Sequence, residues 1–357
     1  MKKYFFTPGP SQLFPTISKH IKNAVNYNIS SISHRGQQFK QIFKNTVDSL
    51  KKLLNIPDTY YVFFLSSATE AMERIIENCV EKYSFHFVNG AFSKKFFEIA
   101  SDLKKEPFEY EVDYGKGFNF NAIAIPKKIE LICFTHNETS TGVALNVNDI
   151  YKFKKLYPNK LIAVDIVSSV PYVDLNYSLV DIIFFSVQKG FGLPAGLGVL
   201  IISPQALEKS KYLANKNLNI GSHHSFIELV NYAQKNQTPE TPNVFAIYLL
   251  EKVINDMLKI GINNIRKNTD IKAKLLYKFL DNNDGFKPFV EKKSVRSKTV
   301  ITSEVKIGSQ EIIKKLIRKG FIVGNGYGIY KDKHIRIANF PAHTIQSVKG
   351  LITQLSI

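Results

Sequence analysis

Six short apolar runs, at 61–65, 85–88, 129–134, 161–164, 182–185 and 197–202, constrain the fold of this chain more than any other feature. They are near-continuous rather than alternating, so each predicts a strand buried on both faces. Helical periodicity fills several of the gaps, at 70–82, 92–104 and 147–156. Buried strands alternating with helices specify an α/β layer around a mostly parallel sheet. The link between 182–185 and 197–202 is too short for a crossover helix, so that pair is expected to be antiparallel.

From about residue 244 the texture changes. Helical stretches at 244–260 and 262–282 lead into a shorter pattern of strand 298–304, helix 310–319 and strand 334–337, closed by a helix at 344–355. With 357 residues, 44% of them hydrophobic, the chain can support two cores. The expectation is a large α/β domain over 15–245 and a smaller α+β domain over 246–357, with the segment 1–14 packed near the site.

The formal charge of +18 raises the question of nucleic acid. Adjacent lysines, however, occur only as eight separate pairs with no run of three, which suits solvated faces of amphipathic helices. Only "KKSVRSK" at 292–298 is locally dense, and no known nucleic-acid motif accompanies it. No nucleic-acid partner is expected. Cys79 and Cys133, the only cysteines, make no disulfide framework and no metal spacing. No apolar stretch has the length of a membrane span, and "MKKYFF" lacks the core of a secretory leader, so a cytoplasmic protein without metal or membrane partner is expected.

Chemistry in such a sheet gathers at the carboxyl ends of the strands. After 61–65 comes "SSATEAME", where Ser67 and Glu70 predict a capping box and a helix N-terminus able to hold an anion. After 129–134 comes "THNETSTG", dense in hydroxyls and amides. Asp165 ends the run 161–164, either as a cap or as a charge held for a ligand. Twenty-four residues on, Lys189 stands in a turn with Gly190, Gly192, Pro194 and Gly196. Phosphate cradle, buried acid, polar shelf and lysine together suit one cofactor, pyridoxal 5′-phosphate, which needs a lysine partner, an acid for its ring nitrogen and an anion site. The lone histidines His20, His86, His223, His224 and His343 show no partner pattern and are expected to be structural.

The order of these motifs resembles the class V aminotransferases of the fold-type I pyridoxal phosphate enzymes, most closely their phosphoserine branch. The resemblance runs through "FTPGPSQLFP" at 6–15, "SHRGQQF" at 33–39, "SSATEAME", "NETSTG", "AVDIVSS", "SVQKG", "TPNVFAIY" at 241–248 and "IRIANFPA" at 335–342. It implies that Lys189 carries the cofactor and that Asp165 pairs with the pyridinium nitrogen. It further implies Ala68, Thr69 and Gln188 at the cofactor phosphate and Thr139 beside the ring hydroxyl. Thr238 and Thr241 would reach the same phosphate from the other subunit of a homodimer with shared sites. Arg336 would clamp the substrate α-carboxylate, while His34 and Arg35 line its side-chain end. The substrates implied are amino acids and 2-oxo acids.

Two positions depart from the pattern. Phe92 stands where these enzymes usually stack a tryptophan on the ring, and the chain has no tryptophan. A His-Arg pair common before the carboxylate arginine is replaced by "GNGYGIYKDKHIR" at 324–336. Alanine–glyoxylate and serine–pyruvate aminotransferases share the remaining motifs and are the rival reading. A cysteine desulfurase is disfavoured, because Cys79 and Cys133 fall inside a helix and a strand.

Overall fold

The computed structural model describes residues 2–356. In chain order the elements begin with β1 (Tyr4–Phe6), α1 (Ile17–Asn26), α2 (Gln37–Leu54), β2 (Tyr61–Leu65), α3 (Ala68–Cys79) and β3 (Ser84–Val88). Next come α4 (Ala91–Asp102), β4 (Phe108–Glu111), β5 (Leu131–Thr135), a small hairpin of β6 (Asn137–Glu138) and β7 (Val143–Ala144), and α5 (Val147–Leu156). They continue with β8 (Leu161–Asp165), β9 (Ile182–Ser186), β10 (Gly198–Ile202), α6 (Pro204–Asn215), α7 (Phe226–Ala233), α8 (Val244–Ile260) and α9 (Ile262–Asp281). The chain closes with β11 (Phe286–Pro288), β12 (Val300–Val305), α10 (Ser309–Arg318), β13 (Phe321–Asn325), β14 (His334–Ala338) and α11 (Ile345–Leu355).

All six apolar runs enter one seven-stranded sheet, in the order β2-β10-β9-β8-β5-β3-β4. Its strands are parallel except β10, which runs antiparallel to both β9 and β2. Successive side chains of β9 enter opposite cores, as a strand's two-residue period requires. Ile183 and Phe185 join α2 and α8 on one face, while Ile182 and Phe184 join α3, α4 and α6 on the other. This double burial explains why these strands are apolar throughout.

A second sheet of five strands is ordered β1-β13-β14-β12-β11. Its core gathers Phe6, Leu276, Ile301, Ile335 and Leu351. Here the N-terminal segment is bound: β1 lies parallel to β13, with Tyr4 opposite Phe321. The segment then crosses to the larger sheet, where Ser11 N–H donates to Gln188 O and Phe14 N–H to Gly192 O. Among the described residues, no helix is long and apolar enough to cross a membrane.

Candidate active site

The strand ends flagged in the sequence converge. Pro8, Gly9, Ala68, Thr69, Phe92, Thr139, Asp165, Gln188, Lys189, Tyr327 and Arg336 are among the residues lining one cavity of about 220 Å³. β8 and β9 each extend one polar residue beyond their apolar run, to Asp165 and Ser186, which brings the acid and the lysine turn to the same rim.

Lys189 is 5% exposed despite its place in a turn. The turn is folded tightly by bonds from Val187 N–H to Leu197 O and from Gly192 N–H to Lys189 O. Glycine is required beside it, because a Cβ on Gly190 would lie 1.7 Å from the Val170 carbonyl oxygen. Gly9, at φ +151°, packs over the lysine stem, 2.8 Å from Cε to where its own Cβ would be. The amine donates to Thr139 Oγ1 at 3.0 Å and lies 5.0 Å from the centre of the Phe92 ring. Burial lowers its pKa, while Asp165 and Glu138 act in the opposite direction.

Asp165 is 3% exposed, and its Oδ1 accepts the Val167 N–H at 2.7 Å. Burial raises its pKa far above the usual carboxylate range, opposed by that hydrogen bond and by Lys189. A buried acid with this little support suits a cationic ring nitrogen.

At the anion end, Ser67 Oγ caps α3 by accepting the Glu70 N–H at 3.1 Å. The expected capping box does not close. The Glu70 carboxylate bonds the N–H and hydroxyl of Ser66 instead, because it is drawn one residue further back toward His224. Ala68 N–H donates to Ser186 Oγ at 2.9 Å, so the Thr69 end of the turn remains for a ligand. Gln188 Oε1 is buried without a hydrogen-bond partner among the described residues. These features fit pyridoxal phosphate: a helix N-terminus for the phosphate at one end and a buried acid at the other.

Arg336 enters from β14 of the second sheet. Its Nε donates to Asn325 O at 2.7 Å and its Nη1 to Thr139 O at 3.3 Å, and its guanidinium stacks on Tyr327 at 5.3 Å. Nη2 makes no bond among the described residues and is available to a carboxylate.

Four expected residues lie outside this cavity. Arg35 stacks on Tyr232 and donates to the carbonyls of Thr238 and Pro239 at 2.6 and 2.9 Å. Thr238 is buried beside Glu240, while Thr241 is exposed on a neighbouring pocket and His34 is half-buried. Of the cations near 324–336, Lys331 and Lys333 are exposed, and His334 is buried against Tyr330 and Phe289.

Some contributors were not foreseen. Glu138, wholly buried, accepts bonds from the N–H groups of Phe92, Ser93 and Ser140 and from the hydroxyls of Ser93 and Ser140. Its place in "NETSTG" was the available signal. Tyr327 lies 5.6 Å from Phe92, ring centre to ring centre. His224 does have partners, Glu70 and Glu240, contrary to the expectation from its sequence surroundings. Both cysteines are buried with their thiol pKa values pushed up by desolvation, so neither is a nucleophile.

The comparisons with known proteins agree with this geometry. Over 99% of its length the chain is 47% identical to a phosphoserine aminotransferase from Cytophaga hutchinsonii, covering 98% of that solved structure with a TM-score of 0.98. It is 28% identical over 353 residues to a phosphoserine aminotransferase from Rhodococcus opacus, spanning 97% of this chain and 92% of the relative. A solved alanine–glyoxylate aminotransferase from Nostoc sp. shares the fold, with a TM-score of 0.85 at 20% identity over 100% of this chain and 95% of that one. The family model for class V aminotransferases matches residues 3–87 and 116–328, and the chain belongs to that family.

Proposed function

We propose that the chain is a pyridoxal phosphate-dependent aminotransferase that moves an amino group between phosphoserine and 2-oxoglutarate. We further propose that it works as a cytoplasmic homodimer whose sites share residues. One observation carries the chemistry: a buried lysine, hydrogen-bonded to Thr139, shares a cavity with the buried Asp165 and the N-terminus of α3. The likeness to the Cytophaga phosphoserine aminotransferase supports the choice of substrate.

When bound, pyridoxal phosphate supplies the electron sink that lets a substrate Cα–H bond ionise. The residues of this chain do the rest. Asp165 holds a proton on the ring nitrogen, where its buried charge acts in a low dielectric. Lys189, its amine made less basic by burial, takes the Cα proton and returns it on the other side of the transfer. Thr139 aims that amine, and Phe92 with Tyr327 excludes water. Arg336 grips the α-carboxylate of each substrate in turn.

Arg35 fastens the 238–239 carbonyls, so His34, Arg35 and Thr241 are tied to one segment, with Thr238 buried in it. A two-fold partner would bring that segment to the neighbouring cavity as a unit. The net charge of +18 favours capture of doubly charged anions.

One observation favours the rival alanine–glyoxylate reading: among the described residues, Lys189 and Arg336 are the only lysine or arginine lining the cavity. The test is kcat/KM for phosphoserine with 2-oxoglutarate against alanine with glyoxylate. Preference for phosphoserine is expected, and Arg35→Ala should penalise phosphoserine far more than alanine. A faster alanine–glyoxylate reaction would transfer the assignment to the rival.

A further inference from the structure

His224, in the loop before α7, places its imidazole between two carboxylates. Nδ1 meets Glu70 Oε1, and Nε2 meets Glu240 Oε2 at 2.8 Å. Glu70 follows Thr69 in the first turn of α3, and its second oxygen is held by the N–H and hydroxyl of Ser66 at 2.8 and 2.6 Å. Glu240 stands between Thr238 and Thr241, and its carbonyl accepts the Thr238 hydroxyl at 2.8 Å. One small cavity of about 150 Å³ is lined by Glu70, His224, Glu240 and Thr241 together.

We propose that His224 is a positioning residue for the cofactor phosphate, tying the cradle at the start of α3 to the 238–241 segment that serves the partner's cradle. This rests on the shared-site reading above. Ser67 already caps the helix, so the Glu70 carboxylate is not needed as a cap. Unpaired, it would set a negative charge one residue from a site for a phosphate dianion, and Glu240 would add a second. An imidazolium between them offsets one of the two charges and holds both carboxylates through charge-assisted hydrogen bonds. It also fixes the distance between the two segments. The two cradles of the dimer are thereby joined through Thr69, Glu70, His224, Glu240 and Thr241.

The test is binding of pyridoxal phosphate to His224→Gln, whose neutral side chain cannot neutralise both carboxylates. Cofactor affinity should fall on the order of tenfold, and Glu240→Gln added to His224→Gln should recover part of the loss. Glu240→Gln alone, which keeps the ring hydrogen-bonded and removes one negative charge, serves should His224→Gln fold poorly, and affinity there should rise. Wild-type affinity in both variants would overturn the proposal.

A hybrid dimer separates it from the shared-site reading. One chain carries Lys189→Ala with His224→Gln, and its partner is wild type, so only the wild-type chain attaches the cofactor covalently. A weakened site on that wild-type chain supports the link. If the His224→Gln homodimer is weakened but this hybrid site is not, the segment does not cross between protomers, and the shared-site reading falls while the role of His224 at its own cradle stands.

Discussion

Glu138 Oε2 accepts the backbone N–H of Phe92 at 3.1 Å, which fixes the start of α4 to a carboxylate with no exposure to solvent. Glu138→Ala would strand the N–H groups of Phe92, Ser93 and Ser140 together with the Ser140 hydroxyl, while the Ser93 hydroxyl keeps the Gly90 carbonyl. Unfolding by denaturant should show a loss of about 2–4 kcal/mol. Glu138→Gln should cost less, since its carbonyl oxygen can still accept part of that set. A loss below about 0.5 kcal/mol in the alanine variant would mean that the bonds do not hold the helix.

Phe92→Trp should tighten cofactor binding by about 0.5–1.5 kcal/mol, through the larger ring offered for stacking. The chain has no other tryptophan, so the new indole reports on its own site. Its fluorescence should be quenched as pyridoxal phosphate is titrated in. Unquenched emission at saturating cofactor would place residue 92 away from the ring.

Lys189→Ala should leave the fold intact and cut turnover by at least about 10³-fold, as removal of the residue that moves the proton requires. Borohydride should no longer fix the cofactor to the chain. Near-normal transamination in this variant would refute the assignment of Lys189.

Asp165→Ala should weaken cofactor binding by about 3 kcal/mol, roughly two orders of magnitude, because a buried charge loses its partner. The half-reaction with an amino donor should slow as well. Unchanged affinity and rate together would remove Asp165 from the mechanism.

His224 gives a pH signature. Burial would lower its pKa, but the hydrogen bonds to Glu240 and Glu70 outweigh it and hold the imidazolium to about 9, from 6.5. The ring of His223, 4.3 Å away, is the other titratable group beside it. A pKa raised on folding contributes stability in full below pH 6.5, and that contribution is lost as pH rises through 9. Thermal melts of the cofactor-loaded protein should therefore show a gap between wild type and His224→Gln that is constant between pH 4.5 and 6.5, narrows toward 9 as the imidazolium is lost, and narrows toward about 2 as Glu70 is protonated. A gap independent of pH would assign the difference to packing alone.

Legibility in the sequence followed how local each cause was. The strands β8 and β9 were readable because burial on both faces leaves no polar position before Asp165 and Ser186. The antiparallel β10 was readable from loop length alone. β1 was not, since three residues carry no period and its partner β13 lies more than three hundred residues away. Asp165 and the Lys189 turn were legible because each lies at the end of a strand of one sheet, whereas Arg336, on the second sheet, was expected only from the resemblance of its surroundings to a known pattern. His224 was missed because Glu70 is 154 positions distant, and nothing in "GSHHSF" marks one histidine as bridging two acids. Phe92 and Glu138 differ in the same way: the first was found by its place in a pattern, the second only by the bonds it makes.

The pairing of β1 with β13 sets an order of events during synthesis. Tyr4 emerges from the ribosome long before Phe321, the residue it must lie beside. Until then Pro8 and Gly9 are tied on one side only, through the Ser11 and Phe14 bonds to the lysine turn, and lack the β13 side of their anchorage over Lys189. Arg336 also belongs to that late-made sheet. A nascent chain therefore completes its larger sheet first and acquires a finished cavity only once β13 and β14 have emerged. Cofactor capture is thus one of the last events in the making of this protein, and a chain truncated before β13 would carry the lysine without the enclosure that makes it reactive.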